Sequence, residues 1–222
     1  MMTTRSVAPA GAGSPCGRRG FTLIEILVVL TILAALIAIV SPLLFKVQER
    51  GERAVTAACL QNIKTALRNR AADPRIGDLP PSALAAAGFE SPNDLNEGIE
   101  VLVALLGAEG AEPNPFEDEN KLINLDGDRD PRRMTYQQTR DFWEYADSWG
   151  NPFIYFRLRD FSDHPDAKVR YQLGDARVIE VSPIRSHKTG SFAGLSDCFQ
   201  LISLGPDCEF GTDDDVVSWS SS

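Results

Sequence analysis

The stretch from Ile26 to Phe45 limits this chain more than any other, because only Thr31, Ser41 and Pro42 interrupt its aliphatic and aromatic character. As a helix rising about 1.5 Å per residue, it matches a hydrocarbon layer about 30 Å thick. One acidic residue, Glu25, stands at its head. A carboxylate there is costly in lipid unless a partner accompanies it, so Glu25 reads as a functional group. The residues before it include Arg5, Arg18 and Arg19 and no acid. By the positive-inside rule, that asymmetry holds the first segment on the cytoplasmic side and leaves the rest of the chain outside.

A secretory signal does not account for this pattern. Such signals have a shorter apolar region, followed by small residues at the cut. Here Pro42-Leu43-Leu44-Phe45-Lys46 supplies no small-x-small site, and Cys16 precedes the apolar segment instead of following it.

The block Arg18-Arg19-Gly20-Phe21-Thr22-Leu23-Ile24-Glu25 resembles the processing site of type IV pilins and type II secretion pseudopilins. The resemblance implies that a prepilin peptidase cuts after Gly20 and that the new N-terminus on Phe21 is methylated. Residues 1–20 would then be a leader, 21–45 the transmembrane and assembly part of a long helix, and 46–222 a periplasmic pilin-like domain that includes the distal half of that helix. Cleavage creates an amine on Phe21 one helical turn from Glu25. Pairing the two removes most of their cost in lipid, within one chain or between an incoming and an assembled subunit. The family implies the second arrangement, in which the ion pair sets the stagger of a filament. The plain alternative is that Glu25 snorkels to the headgroups. Pro42 removes one helix hydrogen bond and favours a kink or a locally melted turn.

Beyond the membrane run, Val55, Cys59, Ile63 and Leu67 recur every four residues on a continuing helix. Asp73-Pro74 stops it, since a residue before proline avoids the helical region. A single helix over 21–72 predicts a lollipop with a soluble domain packed on its distal stripe; a break near Gly51 would give two helices instead. A helical turn is expected at Ser82–Ala87 and a short amphipathic helix at Leu95–Leu106. Within the latter, Asn96-Glu97-Gly98-Ile99-Glu100-Val101-Leu102-Val103 resembles a segment of major pseudopilins. Glu109–Asp118 is an acidic, proline-bearing loop. Asn124–Asp130 alternates aspartates around Gly127 like the start of a calcium loop, but Gln137 stands where the loop's closing glutamate belongs. A polar turn entering a helix over 135–146, with Tyr136, Phe142, Trp143 and Tyr145 facing the core, is therefore expected.

Two later blocks extend the resemblance. Asp147-Ser148-Trp149-Gly150-Asn151-Pro152-Phe153 is similar to the Asp-Pro-Trp-Gly-Asn-Pro-aromatic block of major pseudopilins, with Ser148 in place of proline. It reads as a tight turn into a strand over Phe153–Leu158. Phe199–Asp207 and Gly211–Trp219 are similar to the C-terminal strand and calcium loop of the same proteins. The resemblance implies Ca²⁺ held by Asp207, Asp213, Asp214 and Asp215 with the carbonyl of Leu204, in keeping with the ion's demand for about 6–8 oxygen ligands. A solvated acidic turn is the alternative. Cys198 and Cys208 could bond in an oxidising compartment and brace strand against loop. The intervals 107–146 and 159–198 exceed the compact family pattern, and the sequence assigns them no role.

The expected fold class is α+β, a pilin-like long helix on a small antiparallel sheet with a C-terminal calcium-type loop. The chain holds 22 Lys+Arg and 31 Asp+Glu for a net charge of -9, which losing the three leader arginines would take to -12. Such a body has no electrostatic reason to bind nucleic acid. His164 and His187 lie in polar segments without metal-ligand spacing, and neither a phosphate loop nor a nucleophile elbow appears, so no enzyme is expected. The resemblance implies a subunit that forms a homopolymer at the inner membrane of a type II secretion system. Its partners would be minor pseudopilins, the inner-membrane secretion platform, the prepilin peptidase and the membrane. A type IV pilin, or an anchored calcium-binding module that does not polymerise, would share many of these features.

Overall fold

The computed structural model describes residues 21–107, 114–186 and 188–219, except the side chains of Pro42 and Leu43. The proposed leader, with Cys16, Arg18, Arg19 and Gly20, and also His187, lies outside the described residues. The chain divides into two compact units, Met1–Lys46 and Val47–Ser222.

Helix α1 runs over Leu23–Ala72, 50 residues, unbroken at Pro42 and Gly51. It stops where Asp73-Pro74 requires. The Asp73 carboxylate then accepts from the Arg75 backbone N–H at 2.8 Å, which turns the chain away. In the first unit, α1 is apolar and exposed on all sides: Leu23, Ile37, Ile39 and Leu44 are all more than half exposed. None of its most apolar stretch is buried. By length and composition this helix can cross a membrane. The hydroxyls within it need no water, since Thr31 donates back to the Val28 carbonyl and Ser41 to that of Ile37, both at 2.8 Å.

In the second unit, α1 buries Thr56, Leu60, Ile63, Ala66 and Leu67, while Val55 is half exposed and Cys59 only partly covered. The expected stripe Val55-Cys59-Ile63-Leu67 is therefore displaced at its first two positions. Strict four-residue spacing gains about 40° per step on a helix of 3.6 residues per turn, whereas 56-60-63-67 alternates four and three and stays on one face.

That face packs into a core with helix α3 (Glu97–Leu106) and a three-stranded antiparallel sheet. The sheet is ordered β3 (Ile154–Arg157), β6 (Phe199–Ser203), β7 (Val216–Val217). Ile154 faces Ile202, Arg157 faces Phe199, and Val217 faces Ile202. Every residue of β3 and β6 is buried, so both faces of these strands are covered. Two short pairs complete the unit: β1 (Leu122–Ile123) with β2 (Glu144–Tyr145), and the hairpin β4 (Val169–Gln172) with β5 (Val178–Val181). Helix α2 is one turn, Leu84–Ala87, closed by Gly88 in the left-handed region. The fold class is α+β.

The connection after α1 is stitched to β3. Ser82 Oγ accepts from the Arg157 N–H at 2.7 Å, Tyr155 donates its hydroxyl to the Pro80 carbonyl at 2.8 Å, and the Arg157 guanidinium reaches Asp78, the Leu79 carbonyl and Asp160. One expectation fails here. Residues 135–146 are not a helix but a 3-10 turn at Tyr136–Gln138 followed by strand β2. Gln137 and Gln138 take positive φ, which breaks any α-helix at that point. The turn over 124–130 consequently closes through a bridge between Arg129 and Asp141 and leads into no helix.

Candidate functional site

The first site lies at the head of α1. Thr22 precedes the helix, and Glu25 is its third residue. The Thr22 N–H and hydroxyl donate to Glu25 Oε2 at 2.8 and 2.9 Å, and the Glu25 N–H donates to Thr22 Oγ1 at 3.2 Å. This is a reciprocal capping box. It occupies amide donors at the helix start that would otherwise be orphaned, and orphaned donors are expensive where lipid excludes water. Phe21 is 81% exposed immediately before the cap. The Phe21 amine that the sequence offers Glu25, within a chain or from an assembled subunit, arises only on cleavage; in the uncut chain Glu25 is held by Thr22. The Thr-x-x-Glu spacing was present in the sequence to be read.

The second site is the turn at 147–151. Asp147 is buried, and its Oδ1 accepts from the N–H groups of Trp149 and Asn151 at 2.9 and 3.0 Å. Its Oδ2 accepts from the Ser203 hydroxyl at 2.7 Å, which ties the turn to the end of β6. Burial raises the Asp147 pKa, and these donors oppose the shift. Asn151 accepts from the Gly174 N–H at 3.3 Å and donates to Cys208 Sγ at 3.2 Å. Ser148, where the resembling block has proline, makes two bonds to the buried Thr56 hydroxyl of α1, one of them from its own N–H at 3.2 Å. Proline has no N–H and could not donate that bond. The turn thus joins helix, sheet, hairpin and C-terminal loop.

The third site is that loop. Gly205 has φ +68°, and a side chain there would come within 2.7 Å of the Asp214 carbonyl oxygen and 2.8 Å of Asp214 Oδ2. The loop therefore closes on Asp214. Asp214 also accepts from the Thr212 hydroxyl and, at 3.4 Å, from the Asp207 N–H. Burial pushes the Asp214 pKa up, but these hydrogen bonds outweigh it and the net shift is downward. Asp215 accepts from the Gly211 N–H at 2.9 Å through Oδ2, while its Oδ1 is buried without a partner. Burial first, then the charges of Asp214 and Asp207, raise the Asp215 pKa to about 6. Asp213 is exposed, and its carbonyl accepts from Arg53 at 3.5 Å. Leu204 is fully buried. Hard oxygen donors and one orphaned carboxylate oxygen fit a calcium ion chemically. Among the described residues, however, the carboxylates that converge within 4.8 Å of one another are Glu100, Asp126 and Glu144, outside this loop.

The bond between Cys198 and Cys208 is not formed; both are free thiols. Strand β6 separates them. Cys198 lies before its first residue, next to Leu158, and Cys208 lies beyond its last, against Asn151. Five extended residues span about 16 Å, whereas a disulfide needs Cα atoms within about 7 Å.

Against family models, residues 16–41 match the prokaryotic N-terminal methylation motif. The chain carries a prepilin signal. Such a signal implies processing by a prepilin peptidase and pilin-like polymerisation, and with the apolar helix it fits anchoring in a membrane. No curated protein and no solved structure matches the chain. The prepilin signal spans Gly20, Phe21, Thr22 and Glu25, so the capping box lies within it. The buried acids Glu100, Asp128 and Glu144 lie far outside it. The sequence marks the aspartates of 124–130 as the start of a calcium-type loop, but that Glu100 and Glu144 meet them depends on tertiary contacts among α3, the loop and β2.

Proposed function

We propose that this chain is a pseudopilin, the major one, of a type II secretion machine. After cleavage behind Gly20 and methylation of Phe21, it polymerises into a short periplasmic filament that helps move folded proteins through an outer-membrane channel. The chain turns over no substrate. The observation that carries this reading is the prepilin signal set on an exposed apolar helix headed by Glu25. Glu25 keeps its local contact to Thr22 and offers its charge to the Phe21 amine of a neighbouring subunit. The amine compensates the carboxylate in lipid and fixes the axial register of the polymer. The leader lies on the cytoplasmic side and the second unit in the periplasm.

Support for the secretion subunit comes from the two blocks beyond the signal. The turn at Asp147–Asn151 is locked to β6, and the Gly205–Asp215 loop closes on its own carboxylates. Asp207, Asp213, Asp214 and Asp215 with the Leu204 carbonyl would hold Ca²⁺ there. The ion would neutralise crowded charge and pin the C-terminal segment to the sheet. The test is deletion of the gene in its host, followed by assays of protein export and of surface pili. Export lost and then restored by the wild-type chain, but not by Glu25→Ala, supports the pseudopilin. Intact export with loss of pili would make the chain a type IV pilin, and loss of neither would leave an anchored module that does not polymerise.

A further inference from the structure

Helix α3, the 124–130 turn and β2 bring three carboxylates together, Glu100, Asp126 and Glu144, and Asp128 lies close enough to act on the charge of Glu100. Glu100 on α3 is fully buried, and no donor reaches Oε1 or Oε2. Asp128 is 6% exposed, and both its oxygens are likewise without a partner. Glu144 on β2 is fully buried and held in place, accepting from Asn96 Nδ2 at 2.7 Å and from the Leu125 N–H at 3.1 and 3.2 Å. Asp126 is aimed by the Asp128 N–H at 3.3 Å and by Asn93 Nδ2 at 3.1 Å. Gly127, at φ +74°, lets the loop turn sharply between the two aspartates. So two carboxylates are positioned by protein donors and two are left with none.

We propose that Glu100, Asp126 and Glu144, with the unpartnered Asp128 beside them, hold a divalent cation, best suited to Ca²⁺, at a site separate from the C-terminal loop. One oxygen each from Glu100, Asp126 and Glu144 lies within 4.8 Å of the others. That is the span across an ion whose oxygen ligands sit about 2.4 Å away. Buried carboxylates without a counter-charge are strongly unfavourable, and Glu100, the member of the converging set that no donor reaches, is where an ion's contacts would fall. After burial itself, the groups acting most strongly on Glu100 are Asp128, Asp126, Glu144 and Glu97, all of them acids. Magnesium suits the site less, because it keeps several waters in a near-ideal octahedron. The ion would clamp the 107–146 interval, to which the sequence assigns no role, onto α3. This reading is independent of polymerisation and of calcium in the C-terminal loop.

The test measures bound calcium per chain on the detergent-solubilised full-length protein, by calorimetry and elemental analysis. Asp126→Ala, at the half-buried turn, and Glu100→Gln should each remove one equivalent of bound calcium. A chain carrying Asp207→Asn, Asp213→Asn, Asp214→Asn and Asp215→Asn should keep that equivalent. If Asp126→Ala leaves the stoichiometry and affinity unchanged, or if the loop variant binds no calcium while remaining folded, the proposal is overturned. In that case the carboxylates hold protons in place of an ion.

Discussion

Thr22 and Glu25 cap one another across the first turn of α1, each accepting from the other's backbone N–H at 3.2 Å or less. Glu25 therefore has a local duty before any subunit arrives. It starts an exposed apolar helix without leaving its amides bare, and its placement one turn from Phe21 follows from that duty.

Thr22→Ala should loosen the first turn while Thr22→Ser preserves it. Hydrogen exchange in micelles should speed up at residues 22–25 in the alanine variant and nowhere beyond the second turn. Unchanged exchange would mean that the box does not hold the helix start.

Ser148→Pro should destabilise the second unit, although proline is what the resembling block carries. It strands the buried Thr56 hydroxyl, at a cost of about 1–3 kcal/mol. In a chain of this size that lowers Tm by about 2–4 °C per kcal/mol. Thr56→Val combined with Ser148→Pro should recover much of the loss, since no polar group then remains unpaired. A double variant no better than the single one would contradict the pairing.

Asp197 ties the turn before β6 to α1 through Lys64 at 2.9 Å and Arg68. Burial raises its pKa, but the hydrogen bonds and charges of Lys64 and Arg68 prevail and set it below the usual value. A depressed carboxylate pKa adds stability that is complete above the unfolded pKa and lost as pH falls through the folded one. Asp197→Asn should therefore lower Tm at pH 7, with the gap to wild type closing below about pH 4. Melting curves across pH check this, and a gap that persists at low pH would point to packing instead of charge.

Asp215 has the opposite sign. With its pKa raised to about 6, the ionised group opposes folding increasingly as pH rises from the unfolded value, about 3.9, through the folded one. In chelator at pH 8, Asp215→Asn should raise Tm, and it should shrink the stabilisation that added calcium gives. Calcium stabilising wild type and variant equally would remove Asp215 from the proposed ligands.

How much was legible follows from the range of the interactions. The stop at Ala72, helix α3, the 147–151 turn and strand β3 depend on proline, apolar period and turn chemistry within a few residues, and the sequence displays them, whereas strand β6 is expected only from the family resemblance. Aromatic residues at 142–145 suggested a helix because bulky side chains mark a core without saying which period carries them. The hairpin β4–β5 is not foreseen, although Gly174-Asp175 between Val169–Leu173 and the β-branched run Val178–Val181 offers a turn signal. The displaced stripe on α1 is a matter of phase, settled only by what packs against it. Glu100 and Glu144 stand 44 residues apart, and no local pattern announces that they meet.

In the proposed polymer, cutting behind Gly20 frees an amine on Phe21, and Glu25 uses such an amine to join subunits. The most direct measurement is mass spectrometry of the N-terminal peptide from membranes and sheared filaments, for wild type and Glu25→Ala. An N-methylated Phe21 terminus is expected in the membranes of both and in filaments of wild type alone. A chain that keeps residues 1–20 in its host, or a Glu25→Ala chain abundant in filaments, would contradict this assembly.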